Sequence, residues 1–215
     1  MNGADNTSKM FECFISKIEI VYAILIAWGF AHIAKTFRLN WEYLQYLFVC
    51  ALVLMRFFFA SSHNLAVIAK TTVNRPFWQR FLFFWDVPML IAHSFIYYRM
   101  CEAEGTSFLG IPEFYVIFYL FLLPLNVIWL LSIGIRMHSF NQKLYVRFVM
   151  WSRNNYVHVG IFAILFLLHV YSIIDLSEEH KFLLFIFALT NCIIDFIFTA
   201  PDYLGFRDII ETVSS

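Results

Sequence analysis

The sequence predicts an all-α, polytopic membrane protein of six transmembrane helices with both termini on the cytoplasmic side. Three observations point there. Of 215 residues, 61% are hydrophobic and 14% charged, whereas soluble domains carry about a quarter charged residues. The apolar residues gather in six stretches, near 18–36, 42–60, 79–100, 113–135, 155–174 and 181–200, each close to the roughly 20 helical residues that cross a hydrocarbon core of about 30 Å. The connections between them alternate between basic and acidic, as the positive-inside rule requires of a serpentine chain.

The first stretch follows a polar segment, MNGADNTSKMFECFISK, without the basic start and small-residue cleavage site of a signal peptide, so it is expected to be retained as a helix. The sequon at Asn6 to Ser8 then falls on the cytoplasmic side, where it is not glycosylated. Lys35 and Arg38 outweigh Glu42 in the connection that follows, the one outer connection with a basic excess. The second stretch can run on through Leu65 to Ile68 before the break at Asn74-Arg75-Pro76. Lys70 and Arg75, with no acid nearby, mark that connection as inner. Beyond the third stretch, Glu102, Glu104 and Glu113 against Arg99 mark an outer connection.

The connection after the fourth stretch carries Arg136, Lys143, Arg147 and Arg153 and no acid, and is inner. Within it, SFNQKLYVRFVMWSR sets Phe140, Leu144, Phe148 and Trp151 at helical spacing with Lys143 and Arg147 on another face, the pattern of a short interfacial helix at 139–152 on an anionic leaflet. A plain basic connection is the alternative. Asp175, Glu178 and Glu179 against Lys181 place the last connection outside, and the tail 201–215 is too short to form a domain. The whole chain, 1–215, reads as a single transmembrane helical domain with no soluble module.

Composition narrows the function classes. Fifteen basic and fifteen acidic residues cancel, which gives no case for nucleic acid as a partner. Phe contributes 27 residues and Gly 7, so helix contacts are expected to be built from bulky side chains rather than small-residue crossings. Cys13, Cys50, Cys101 and Cys192 include no paired set in an exposed loop, and no disulfide framework is expected. Neither a selectivity-filter sequence, a voltage-sensing arginine array, a phosphate-binding Gly-rich loop, HExxH, GxSxG nor CxxC occurs, so enzymatic chemistry is not favoured. The two halves of the chain do not read as an inverted repeat, because Asp86 and Asp195 come out at the same depth rather than at opposite ones.

Charged residues within the apolar stretches cost several kcal/mol unless paired or hydrated, and each is a candidate site. Arg56, Asp86 and Asp195 fall at one level, roughly 6 to 9 Å inside the inner boundary at 1.5 Å rise per residue, with Asn191 one turn from Asp195. Arg56 with one or both aspartates is expected to form a charge-compensated cluster that lines or gates an ion path; a buried pair fixing helix order, or an Arg reaching the headgroups, is the plainer alternative. His32, His93 and His169 share a second, outer level and could hold a metal or, as His93 with His169, haem iron. His158 lies on the face of His169, three turns inward, without an inner partner, since His63 serves only if the second helix bends. The stretch RFFFASSHNL around His63 otherwise reads as a polar helix terminus.

The leading expectation is therefore a small integral membrane ion channel, transporter or membrane-permeabilising effector, oligomeric because six short helices leave little room for a private pore. Its partners are the lipid bilayer and further copies or subunits of a membrane complex. A haem b electron-transfer protein using His93 and His169 is the first alternative, although no cofactor is favoured; a non-conducting scaffold or lipid-binding subunit is the second.

Overall fold

The computed structural model describes residues 44–56, 77–103, 105–138, 142–177 and 180–204, with isolated helical positions between 20 and 35 in the first apolar stretch. The described chain is almost entirely helical: α1 (Leu44–Arg56), α2 (Phe77–Glu102), α3 (α-helical Glu113–Ile117, π-helical Phe118–Leu122 and α-helical Leu123–His138), α4 (Gln142–Val170) and α5 (Lys181–Leu204). Among the described residues, α3 over Glu113–Arg136 is the one helix long and apolar enough by itself to cross a bilayer.

The α2–α3 connection folds into a two-stranded hairpin. β1 (Ser107–Phe108) and β2 (Ile111–Pro112) pair antiparallel around Leu109 and Gly110, whose φ of 53° and 84° make the two-residue turn with both central residues left-handed. Glycine fits there without strain; Leu109 does not. Its carbonyl accepts a hydrogen bond from His169 Nε2 at 2.9 Å, which ties the hairpin to the end of α4.

Within α3, Pro124 has no N–H to offer the preceding turn. That turn relaxes into a π-segment in which the Leu123 N–H reaches the Phe118 carbonyl five residues back. Tyr119, on this wide turn, is stacked between Phe162 at 4.4 Å and Phe187 at 5.2 Å between ring centroids, and its hydroxyl donates to the Leu184 carbonyl at 3.2 Å. One tyrosine thus joins α3, α4 and α5, in keeping with a bundle packed through bulky rings. On α1, Tyr46, Val49 and Val53 form the buried face, while Cys50 meets Cys101 with 3.7 Å between sulfurs and receives the Tyr97 hydroxyl on its carbonyl at 3.2 Å.

The separate interfacial helix expected at 139–152 is not formed. Gln142–Val170 is one continuous helix of 29 residues, roughly 43 Å long, because no Gly or Pro interrupts it before Gly160. Phe148 and Trp151 face the bundle rather than a surface, being only 7% and 5% exposed. Gly134 on α3 admits Phe148: a Cβ there would stand 3.6 Å from that of Phe148, so the α3–α4 hairpin is closely packed. The side chains of Lys143 and Arg147 lie outside the described residues.

α4 stops at a Schellman arrangement: Ser172 is left-handed (φ 58°), the Ile173 N–H bonds to Leu168 O at 2.8 Å and the Ser172 N–H to His169 O at 2.8 Å. The following turn is closed by Asp175, whose carboxylate takes the Ser177 N–H at 2.8 Å and the Ser177 hydroxyl at 2.9 Å. Those two bonds, the backbone one foremost, hold the Asp175 carboxyl below its usual range.

Two outcomes follow from these turns. Replacing Leu109 by Asn, which tolerates the left-handed region, should raise thermal stability in detergent by about 1 kcal/mol; an unchanged or lower midpoint would refute strain at Leu109. Because Asp175 is held below its usual range in the folded state, its contribution is present at neutral pH and is lost as pH falls from about 4 through the lower folded value. Thermal midpoints measured from pH 7 to pH 3 should fall less steeply for Asp175→Asn than for the wild type, and identical slopes would remove that role.

Candidate functional site

Two buried ion pairs occupy the interior. The first brings together α1, α4 and α5. Arg56, 2% exposed, forms an ion pair through Nη1 with Oδ2 of the fully buried Asp195. The same guanidinium donates to Asn191 Oδ1 at 3.4 Å and to Asn155 Oδ1 at 3.3 Å, and its Cζ lies 5.5 Å from the ring centroid of Trp151. Asn154 Nδ2 donates to the other Asp195 oxygen at 2.5 Å, and Asn191 Nδ2 to Asn155 Oδ1 at 3.3 Å. Residues 151, 154, 155 and 158 are spaced by three or four, which sets them on one stripe of α4, as 191 and 195 are on α5. Charge and carboxamides from three helices therefore close into one network.

The second pair joins α2 to α3. Asp86, fully buried, receives Arg136 in two-pronged fashion, Nη1 to Oδ2 at 2.8 Å and Nη2 to Oδ1 at 2.6 Å. Trp129 Nε1 adds a third donor at 2.9 Å. Arg136 is steadied by donating from Nε to the Ser132 carbonyl one turn back, at 3.2 Å. Three donors, two of them from one guanidinium, thus converge on a single carboxylate.

Of the two aspartates expected near Arg56, one or both, the structure brings it one. Arg56 takes Asp195 and Asn191 as expected, but Asp86 has its own arginine. The sequence reading assigned Arg136 to a topogenic loop because it follows the apolar stretch. The signal for its role was available: Asp86 lies 16 residues before the end of α2 at Glu102, and Trp129 lies 16 residues after the start of α3 at Glu113. An antiparallel hairpin therefore sets the two at one level. Arg136 is two turns further in, and helical side chains lean toward the N-terminus, so its long stem reaches back to Asp86. Trp129, Asn154 and Asn155 were likewise missed, being uncharged residues in or beside apolar runs.

The described histidines of the helices each have partners of their own. His93 Nδ1 is bonded to Met89 O at 2.7 Å, and its ring lies 5.5 Å from that of Trp129. His158 Nδ1 is bonded to Asn154 O at 2.9 Å, with its ring 4.8 Å from that of Phe187. His169 spends both nitrogens on backbone: Nε2–H donates to Leu109 O and Nδ1 accepts the Leu176 N–H at 3.0 Å. In this arrangement His169 has no lone pair for iron, which leaves the expected axial pair with His93 without its second member. His32 and His63 lie outside the described residues. Among the described residues no group of three or more His, Cys, Asp or Glu is placed to hold a metal ion.

Removing one partner of a buried pair strands the other charge, at a cost of about 3–5 kcal/mol. Double-mutant cycles on thermal or denaturant stability should therefore give coupling above about 1 kcal/mol for Arg56→Met with Asp195→Leu, and for Arg136→Met with Asp86→Leu. The crossed combination, Arg56→Met with Asp86→Leu, should be additive. Strong coupling in the crossed pair would show that the two networks are one.

A comparison with protein-family models, with curated proteins and with solved structures finds no match to this chain.

Proposed function

We propose that the chain is a multi-pass membrane protein of six helices with cytoplasmic termini, and that its buried ion pairs form the closed gate of a path for small ions, with several copies assembling around or beside that path. The observation that carries this reading is the inside-out distribution of polarity. The outward faces of the helices are apolar: Ile91 and Phe95 on α2, Ile128 and Ile135 on α3, Ile161 and Ile164 on α4 and Ile193 and Ile197 on α5 are all exposed. Arg56, Asp86, Asn126, Asn155, Asn191 and Asp195 are buried between the same helices. In water this arrangement exposes an apolar surface far larger than a soluble monomer presents; in lipid it is the favoured one, with ionisable groups turned to the bundle interior.

Conduction is favoured over a purely structural lock by the continuity of polar side chains. From the inner end outward, Arg136, Asp86, Trp129 and His93 follow one another between α2 and α3, and Arg56, Asp195, Asn191, Asn155 and His158 between α1, α4 and α5. The completeness of both ion pairs supports a second reading, a non-conducting subunit whose charges fix helix order.

Flux through the purified protein in liposomes separates the two readings. Wild-type protein should conduct weakly above empty vesicles, and Asp195→Asn, by removing the anion that holds Arg56, should raise flux by about tenfold or more, the factor that corresponds to 1.4 kcal/mol of closed-state bias. Asp86→Asn should also alter it. Flux absent from the wild type and from both variants, with all three folded, would exclude the path and leave the non-conducting subunit.

A further inference from the structure

Asn126 stands in α3, fully buried, and neither Oδ1 nor Nδ2 of its carboxamide meets a hydrogen-bonding group among the described residues. Its surroundings on α3 are the buried Leu122, Leu123, Trp129 and Leu130. A carboxamide has two donors and an acceptor oxygen to satisfy, and a buried one without protein partners is the usual mark of a bound polar molecule. A second observation lies two residues away. Pro124 withholds its N–H from the preceding turn, and the π-segment Phe118–Leu122 widens that turn, leaving a main-chain carbonyl short of its ordinary donor. Helical side chains lean toward the N-terminus, so Asn126 overlies that same turn.

On the facing helix, His93 Nδ1 is bonded to the Met89 carbonyl, which can only accept. The His93 ring adjoins Trp129, one turn along α3 from Asn126. The Asn126 carboxamide by itself offers two donors and an acceptor oxygen, the kind of polar group that an internal water satisfies.

We infer that Asn126, with the proline-relaxed turn of α3, forms an internal hydration site that holds one or a few water molecules between α2 and α3. Water is favoured over a metal cation because the two carboxylates described nearby, Asp86 and Asp195, are each neutralised by an arginine, which leaves no net negative charge to retain a cation. An apolar occupant would leave the carboxamide unsatisfied. The site does not depend on conduction, since a buried water is equally at home in a non-conducting bundle.

Hydroxyl-radical footprinting of the full-length protein in lipid nanodiscs tests this, because a bound water generates radicals where it sits. Leu122 and Leu123 are 1% exposed and Leu184 is 2% exposed, so bulk access is the same for all three. Leu122 and Leu123 should be labelled several-fold faster than Leu184, and Asn126→Leu should remove the excess. Equal rates at the three leucines in the wild type would overturn the proposal, whether or not the variant folds. An excess that survives Asn126→Leu would overturn the role of Asn126. Labelling or thermal stability that changes when sodium and potassium are replaced by N-methylglucamine would identify a cation instead and overturn the assignment to water.

Discussion

A guanidinium shut inside an apolar bundle fixes its surroundings, because leaving it unpaired costs several kcal/mol while its partners come from distinct helices. Arg56 is that group. Its ion pair with Asp195 and its hydrogen bonds to Asn155 and Asn191 set the rotation of α1 against α4 and α5 at once. Tyr46, Val49 and Val53 share the face of Arg56 and are buried with it, and Leu44, Phe48 and Met55 are turned outward. With α1 rotated in this way, the Cys50 carbonyl meets the Tyr97 hydroxyl and α2 is placed in turn.

The second pair does comparable work within one hairpin. Asp86 is met by Arg136 and Trp129 from α3, and Trp129 also borders His93, so a single indole passes the register of the α2–α3 hairpin one further turn outward. Each network is neutral by itself. One ion pair ties α2 to α3 and the other ties α1 to α4 and α5. The two sets of helices are joined by Tyr119, which packs on Phe162 and Phe187 and donates to the Leu184 carbonyl, by Phe148 against the Gly134 turn, and by the Tyr97 hydroxyl on the Cys50 carbonyl.

The ends opposite the ion pairs are held by main-chain hydrogen bonds rather than by charge. His169 clasps the β-hairpin at Leu109 and the start of the next turn at Leu176, and Asp175 closes that turn on Ser177. The strained Leu109 and the left-handed Ser172 are both within this region, each next to a hydrogen bond that offsets its cost. A histidine whose two nitrogens are committed to backbone acts as a clasp, and this role was hidden while only its depth in the sequence was considered.

The sequence by itself determined the helical class, the position of α2, α3 and α5 to within a few residues, and the list of charges that must be reconciled inside the bundle, because hydropathy and helical rise are local quantities. Depth along a helix was legible too, and it put Arg56, Asp195 and Asn191 at one level. Azimuth was not. Whether Asp86 turns to Arg56 or to Arg136, whether His169 looks inward or toward a hairpin, and whether Phe148 and Trp151 lie on a surface or against Gly134 depend on rotation about each helix axis. That rotation is set jointly by all the neighbours, so only the tertiary structure decided it. The uninterrupted run of α4 through Gln142–Val170 belongs with these: the helical spacing over 139–152 was legible, but whether that segment lies apart or continues into the next apolar stretch depends on its packing against α3.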